Sequence, residues 1–152
     1  MNKKIHYHSD CSFFAGCENM LVNFFDSKEL KDNHELSFSF RDSIDYREGF
    51  YKRVKSKIDY FPLNFPYLKN IKFSPKLDKY KVSRIISITM RIITNFPILF
   101  YEVLILRKLF LKIKPDVVHI NSGGFPITMS AKAAVIASSI CGVKKIILVL
   151  II

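Results

Sequence analysis

Two loops of this sequence combine glycine with polar residues where a strand is predicted to pass into a helix. The first loop runs from Asp10 to Glu18. Gly16 would let a ligand approach the backbone closely, and Glu18 falls in the first turn of the predicted helix. A simple turn that needs glycine would explain the same residues. The first loop therefore indicates either a structural connection or part of a ligand site.

The second loop runs from His119 to Pro126 and has the stronger pattern. Asn121 ends a predicted strand, and Ser122, Gly123 and Gly124 follow it in the turn that leads to Pro126. Backbone N–H groups at the start of a helix carry a partial positive charge, which suits an anion or a sugar hydroxyl. A tight connection that needs positive φ is the alternative, and the sequence leaves both interpretations open.

His119 lies in an apolar strand, between Val118 and Ile120. Such a position is typical of a hydrogen-bonded histidine in the core.

Both loops need a sheet to position them, and the hydrophobic pattern supplies one. Leu36, Phe38 and Phe40 alternate with polar residues, which predicts a strand. The predicted strands are Lys4–Ser9, Glu35–Arg41, Pro115–Asn121 and Lys144–Ile152, and the predicted helices are Glu18–Ser27, Val82–Lys114 and Ile127–Cys141. This order predicts an α/β fold, a Rossmann-like open parallel sheet with flanking helices. Ligands bind such a sheet outside the carboxyl ends of its strands.

Three further segments carry expectations about local structure. The polar run from Asp26 to Asn33 is expected to close the first helix, and residues 42–81 are expected to form loops and short helices. Pro97 is expected to end or kink the long helix near its middle. Because Arg91 and Glu102 interrupt its apolar run, we expect that helix to be buried or interfacial and not to span a membrane.

The formal net charge is +11, and basic residues are concentrated between Arg47 and Arg91. Such a stretch could attract nucleic acid, an anionic membrane surface or an anionic glycan, or it could be a solvated surface without a partner. The sequence has no signature of a nucleic-acid-binding fold, so we expect no nucleic-acid partner.

The three cysteines, Cys11, Cys17 and Cys141, cannot all pair with one another, and no signal peptide precedes them. We therefore expect a cytoplasmic protein, with peripheral contact to the inner face of the membrane as an option. The spacing of His6, His8 and the first two cysteines fits no zinc pattern, so no metal site is expected.

Four segments in order carry a resemblance to a known family: Lys4-Ile-His-Tyr-His8, Ala15-Gly-Cys-Glu18, Asn33-His-Glu-Leu-Ser37 and Pro115-Asp-Val-Val-His-Ile-Asn-Ser-Gly-Gly-Phe-Pro126. They resemble the opening strand, the turn into the first helix, the start of the second strand, and the "Pro-Asp-Val-Val-His" strand with its glycine-bearing loop. The family is the GT-B glycosyltransferases of the family 4 type, and the resemblance is to their N-terminal, acceptor-side domain.

The resemblance implies one half of a GT-B fold and the transfer of a sugar from a nucleotide-sugar donor to a glycan or lipid-linked acceptor. The process would be cell-surface polysaccharide synthesis, and no cofactor is implied beyond the nucleotide-sugar substrate. By motif position Gly16 would face the donor phosphates. The residues that would contact substrate are Glu18, His119, Asn121, Ser122, Gly123 and Gly124. Asn121 stands where many members have the second histidine of a His-x-His pattern.

The 152 residues contain no counterpart of the family's C-terminal, donor-binding domain. We therefore expect a single domain over residues 1–152 that is inactive in transfer by itself. The alternative is a non-catalytic module that binds a glycan or lipid, or that complements a separately encoded C-terminal half.

Overall fold

The structure is a computed structural model, and it describes residues 2–11, 13–14, 16–65, 81–123 and 127–150. Five parallel strands form one open sheet in the order β3-β2-β1-β4-β5. The strands are β1 Lys3–Ser9, β2 His34–Arg41, β3 Asp59–Leu63, β4 Val117–Ser122 and β5 Lys145–Leu150. The α/β fold with a Rossmann-like parallel sheet, predicted from the sequence, is confirmed.

The helices alternate with the strands, as a parallel sheet requires. They are α1 Gly16–Asp26, α2 Lys28–Asn33, α3 Ile44–Arg53, α4 Lys81–Ile113 and α5 Met129–Ile140. Ser27 and Ser43 begin α2 and α3, because their hydroxyls accept the backbone N–H of Leu30 and Tyr46. Gly142 follows α5 with φ of +69°, the left-handed conformation that commonly stops a helix.

Helices cover both faces of the sheet. On one face, Phe38 and Phe40 of β2 pack with Leu21 and Phe25 of α1 and with Tyr46 and Phe50 of α3, all of them buried. On the other face, α4 and α5 pack together over β4, with Leu106, Phe110, Val118, Ile120 and the alanines of α5 in the core. We call these the aromatic face and the α4/α5 face. The small side chains of α5 allow its backbone to lie close to the sheet.

A ladder of buried polar side chains lies within the α4/α5 face, and we call it the histidine ladder. His6 contacts the hydroxyls of Ser37 and Ser39 through its two ring nitrogens, each at 2.8 Å. His8 contacts the hydroxyls of Ser39 at 2.9 Å and Ser130 at 3.0 Å. Both rings are fully buried. Burial lowers the pKa of His6 to about 3 and that of His8 to about 4, so both rings are neutral at pH 7.

The structure differs from the sequence predictions at three places. Residues 42–81 contain a strand, β3, that was not predicted, although residues 66–80 lie outside the described part of the chain. Its Pro62 argued against a strand, but β3 is at the sheet edge, where proline is tolerated. The run expected to close the first helix forms a second helix, α2, because Ser27 caps it. Pro97 does not end α4, which continues through it to Ile113, so only the kink stays a prediction.

The remaining predicted boundaries agree with the structure to within about two residues, except that residues 151–152 of the predicted last strand are outside the described chain. In the described residues no helix has the length and apolar character needed to cross a bilayer.

Candidate functional site

The carboxyl ends of β1, β2 and β4 lie side by side, and we call this region the carboxyl edge. Ser9 of β1 pairs in register with Asn121 of β4 on one side and with Phe40 of β2 on the other. The two glycine-bearing loops leave the sheet from β1 and β4, so the structure brings them next to each other. This is the edge at which open parallel sheets bind ligands.

Glu18 is held at this edge by β1. It lies in the first turn of α1, is fully buried, and accepts a hydrogen bond of 2.9 Å from the Ser9 hydroxyl. This hydrogen bond fixes the start of α1 relative to the end of β1. The side chain of Tyr46 is buried in the same region, and burial raises the pKa of its phenol.

Gly16 is the first residue of α1 and is exposed. A Cβ added to Gly16 would meet no atom within 4 Å, and its φ is not in the left-handed region. Nothing in the described part of the chain thus requires glycine at this position. The absence of a side chain instead leaves open space in front of the helix start.

The second loop begins with two buried side chains. Asn121 and Ser122 are both fully buried, whereas Gly123 is exposed, and Gly124 lies outside the described residues. The Ser122 hydroxyl has no hydrogen-bond partner among the described residues, and the same is true of the hydroxyl of Thr128 at the start of α5. Two hydroxyls with hydrogen-bonding capacity therefore flank the loop.

Gly123 brings the two loops into contact. A Cβ at this position would lie 2.5 Å from the Cys11 Sγ, closer than such atoms approach in folded proteins. Because φ of Gly123 is not positive, it is this contact that makes a side chain unfavourable there. The close contact at Gly123 is therefore with the first loop, and the positive φ of the alternative interpretation does not occur at this glycine.

His119 lies beneath the edge and does not form part of its surface. Its ring is 9% exposed and packs at 5.3 Å from the ring of Tyr7 and at 5.8 Å from that of Phe24. Nδ1 has no hydrogen-bond partner among the described residues, and burial lowers the pKa of the ring. The structure thus places His119 in an aromatic setting, where the sequence pattern favoured a hydrogen-bonded one.

A second polar group at the carboxyl edge was not predicted from the sequence. Arg41, the last residue of β2, donates from Nε to Asp10 at 2.9 Å and from Nη2 to Glu102 at 3.3 Å. Its guanidinium also lies 5.2 Å from the ring centroid of Phe65. The three charged side chains are almost completely buried. We call them the Arg41 triad.

The carboxyl group of Glu102 lies in a buried environment that disfavours its charged form. Burial raises the pKa of Glu102 to about 7, Asp10 adds to that effect, and Arg41 opposes both. Its Oε2 has no hydrogen-bond partner among the described residues. Glu102 can therefore donate or accept a hydrogen bond near pH 7, depending on its protonation.

Two cavities of the described part of the chain lie near opposite ends of the strands. One, of about 490 Å³, is lined by Asn64, which follows β3, and by Pro97, Ile98 and Tyr101 of α4. The other, of about 460 Å³, includes Asn2, Asn33 and His34 at the amino ends of β1 and β2. The first is thus next to the carboxyl end of β3, and Tyr101 precedes Glu102 of the Arg41 triad in sequence. Among the described residues no three His, Cys, Asp or Glu side chains group together as a metal site.

The sequence contained one signal that could have indicated the triad. Glu102 is the only acidic residue between Lys81 and Ile113. A lone carboxylate in a mostly apolar helix needs a buried partner or a solvated position. Its partner, Arg41, is 61 residues away, so no local pattern identifies it.

Known proteins resemble this chain in structure and not in sequence. No protein family and no curated protein matches the sequence. A protein of Listeria monocytogenes assigned as a UDP-N-acetylglucosamine 2-epimerase matches with a TM-score of 0.58 and 14% identity, over 96% of this chain and 30% of its own. The UDP-GlcNAc 2-epimerase of Neisseria meningitidis, solved with UDP-GlcNAc bound, matches with a TM-score of 0.52 and 14% identity, over 93% of this chain and 31% of its own.

This chain thus spans about a third of the length of the proteins that it matches. At 14% identity the similarity shows the fold alone. The chain has a Rossmann-like α/β fold of the GT-B type.

Proposed function

We propose that this chain is the acceptor-side domain of a family 4-like glycosyltransferase. It binds a glycan or lipid-linked acceptor at the carboxyl edge, where a nucleotide-sugar donor meets it. Transfer requires a donor-binding domain in addition to residues 1–152. The process is polysaccharide synthesis, as the resemblance implies.

The observation that carries this proposal is the convergence of both glycine-bearing loops at one edge of the sheet. Ser9 and Asn121 are paired in register there, and Gly123 approaches Cys11 closely. Hydroxyl and amide groups arranged around a helix start are suited to the hydroxyls of a sugar and to the oxygens of a phosphate.

Gly16 supports the placement of the donor phosphates. The fold gives no steric reason for glycine there, and the start of α1 faces open space. A phosphate that accepts hydrogen bonds from backbone N–H groups would use that space. The two structural neighbours named above are UDP-GlcNAc enzymes by name, which makes a uridine diphosphate sugar the first donor to test.

The Arg41 triad supports the placement of the acceptor. Glu102 has a buried oxygen without a hydrogen-bond partner among the described residues, and it lies at the end of β2 through its contact with Arg41. A buried oxygen of this kind is satisfied when a ligand hydroxyl bonds to it.

The test is a titration of the isotope-labelled chain, followed by backbone amide NMR. The probes are UDP-GlcNAc, UDP, chitotriose, maltotriose, and octyl glucoside below its micelle-forming concentration. We expect amide shifts at residues 9–11, 16–18 and 121–123. Shifts confined to the amino-edge cavity beside His34, or no shifts with any probe, would contradict the proposal.

A pair of matched variants sharpens the titration. Gly16→Gln puts a side chain into the open space and should weaken UDP-GlcNAc binding at least tenfold with an unchanged melting temperature, because a Cβ there meets no neighbouring atom. Asn19→Gln changes an exposed residue one helical turn further on and should bind like the parent. Equal affinity of all three proteins would show that the donor does not use this helix start.

A radiolabelled-sugar assay tests the requirement for a second domain. The purified 152-residue chain should transfer no sugar from UDP-GlcNAc to the acceptor probes. Measurable transfer by the chain alone would show that it already contains a donor site.

A further inference from the structure

The outward face of α4 is apolar over more than four turns. The exposed large side chains on it are Ile93, Phe96, Phe100, Tyr101, Leu104 and Leu111. Phe96 is 68% exposed and Phe100 is 59% exposed. Residues that repeat every three or four positions share one side of a helix, so these side chains form one stripe about 27 Å long. We call it the α4 outer face.

Every charged residue exposed on this part of α4 is basic. Arg107, Lys108 and Lys112 are exposed between and beside the apolar side chains of its last two turns. The one acidic residue between Ile93 and Ile113 is Glu102, which is buried against the sheet in the Arg41 triad. The outer face therefore combines apolar surface with positive charge and carries no negative charge.

The neighbouring helix extends this surface. α5 packs along α4, contains no acidic residue, and exposes Lys132, Ile136 and Ile140. The two helices thus present one layer in which apolar and basic side chains are mixed. Exposed apolar surface of this extent is unfavourable in water and normally marks a contact surface.

We propose that the α4 outer face docks on an anionic lipid bilayer, with the helix lying in the plane of the membrane surface. Phenylalanine and leucine side chains insert below the headgroups, Tyr101 stays at their level, and the basic side chains contact anionic headgroups. A protein partner for the same face would need a surface that is both apolar and acidic. An anionic bilayer provides both properties without a specific sequence.

The sequence suggested two segments for membrane contact, the basic stretch from Arg47 to Arg91 and the apolar helix Val82–Lys114. The exposed apolar and basic side chains described above lie on the second of these, from Ile93 onward. Docking would also bring the bilayer close to the candidate site. Tyr101 lines the cavity of about 490 Å³, and the next residue, Glu102, hydrogen-bonds Arg41. A lipid-linked acceptor, if the proposed function holds, would approach Arg41 and the carboxyl edge along this helix.

The test is vesicle flotation of the complete chain with two lipid compositions. Vesicles of phosphatidylcholine with 30% phosphatidylglycerol should bind the chain at least tenfold more strongly than phosphatidylcholine alone, and 0.5 M NaCl should weaken binding. Equal binding to both compositions, or no binding to either, would overturn the proposal. No sugar or nucleotide is present, so the result is independent of the proposed function.

Three variants locate the surface. Phe96→Ser/Phe100→Ser should reduce binding at least tenfold with an unchanged melting temperature, because both side chains are exposed. Arg107→Glu/Lys108→Glu should remove the preference for phosphatidylglycerol. The control, Ile44→Ser/Tyr51→Ser, removes two equally exposed apolar side chains from α3, on the aromatic face, and should bind like the parent.

Two results would assign the α4 outer face differently. Loss of binding in the α3 control as large as in the α4 variant would indicate unspecific adsorption. A dimer in sedimentation, formed without vesicle binding and abolished by Phe96→Ser/Phe100→Ser, would assign the face to a second copy of the chain. Either result would overturn membrane docking.

Discussion

The two faces of the sheet are both buried, but they are built from different side chains. On the aromatic face, the rings of Phe38, Phe40 and Tyr46 pack against one another at centroid distances of 4.6 to 6.4 Å. On the α4/α5 face, the same strand contributes Ser37 and Ser39, whose hydroxyls bind His6 and His8. The side chains of β2 therefore point alternately into two different buried cores. One core consists of aromatic rings, and the other contains the histidines and serines.

This difference indicates which face of the sheet connects the buried core to the candidate site. Aromatic packing depends on shape, and His119, which packs against Tyr7 and Phe24, is the histidine with a lowered pKa on that face. The α4/α5 face depends on hydrogen bonds to neutral histidines, and it continues directly into the Arg41 triad at the carboxyl edge. We therefore expect pH to act on the face that leads to the candidate site.

The largest expected effect is acid destabilisation through the histidine ladder. The folded pKa values of about 3 and about 4 lie below the ordinary value of 6.5, so below pH 6.5 the unfolded chain binds protons that the folded chain does not. The free energy of unfolding should fall as the pH decreases from 6.5 towards 4, by about 1.4 kcal/mol per pH unit for each such proton. Urea unfolding at a series of pH values measures this slope.

Protonation of Glu102 should change the free energy of unfolding in the opposite direction to that of the histidines. Its folded pKa of about 7 lies above the ordinary 4.5, so between these values the folded chain holds a proton that the unfolded chain lacks. This contribution stabilises the fold as the pH falls through the same window and partly offsets the histidines. Glu102→Gln should make the dependence on pH steeper by about one proton. An unchanged or shallower slope would show that Glu102 does not titrate in this environment.

The second effect compares the two sides of β2 directly. Phe38→Ala should lower the free energy of unfolding by about 3–5 kcal/mol, because Phe38 is fully buried and a cavity remains. Ser37→Ala, on the other side of the strand, should cost about 1–3 kcal/mol, because one nitrogen of His6 loses its partner. Urea midpoints measure both. A cost for Ser37→Ala equal to that for Phe38→Ala would mean that the polar network is worth as much as the aromatic core.

The third effect lies at the border between the aromatic face and the first loop. Gly49 is inside α3, and a Cβ there would be 2.3 Å from the Cβ of Phe14. Gly49→Ala should therefore destabilise the protein by about 1–3 kcal/mol, although alanine is favoured over glycine in a helix by about 1 kcal/mol. Glu48→Ala, at the exposed neighbouring position, should cause no loss in thermal unfolding. A more stable Gly49→Ala protein would show that Phe14 moves freely.

The smallest effect tests the contact between the two loops. Gly123→Ala should cost about 1 kcal/mol, because its Cβ would displace the Cys11 Sγ, which can rotate away. Combining it with Cys11→Ala should recover most of that loss. A double-mutant cycle from urea unfolding measures the coupling. Additive effects of the two substitutions would mean that the loops do not touch.

Local patterns in the sequence predicted much of this fold, but not its tertiary contacts. The alternation in Glu35–Arg41, the apolar run in Pro115–Asn121 and the helix Ile127–Cys141 each depend on neighbouring residues, and all three predictions agree with the structure to within about two residues. β3 was missed because an edge strand tolerates a proline that an inner strand would not. α2 was missed because a single capping serine determined it.

The candidate site also has one part that local sequence patterns predicted and one part that they did not. The glycine-bearing loops were recognisable because glycine, polar residues and a helix start follow one another in the chain. Arg41 lies 31 residues from Asp10 and 61 from Glu102, and only the sheet order brings them together. The substrate roles of Gly16, Glu18 and the residues of the second loop stay predictions, with the titration above as their test.

The two outer strands of the sheet differ in whether they contain a proline. β3 has Pro62 in its middle, and a proline has no N–H to offer to an incoming strand. β5 has no proline between Lys145 and Leu150, and no described strand pairs with its outer side. Of the two described outer strands, β5 is therefore the one whose backbone N–H groups are all available in principle to a strand that joins the sheet.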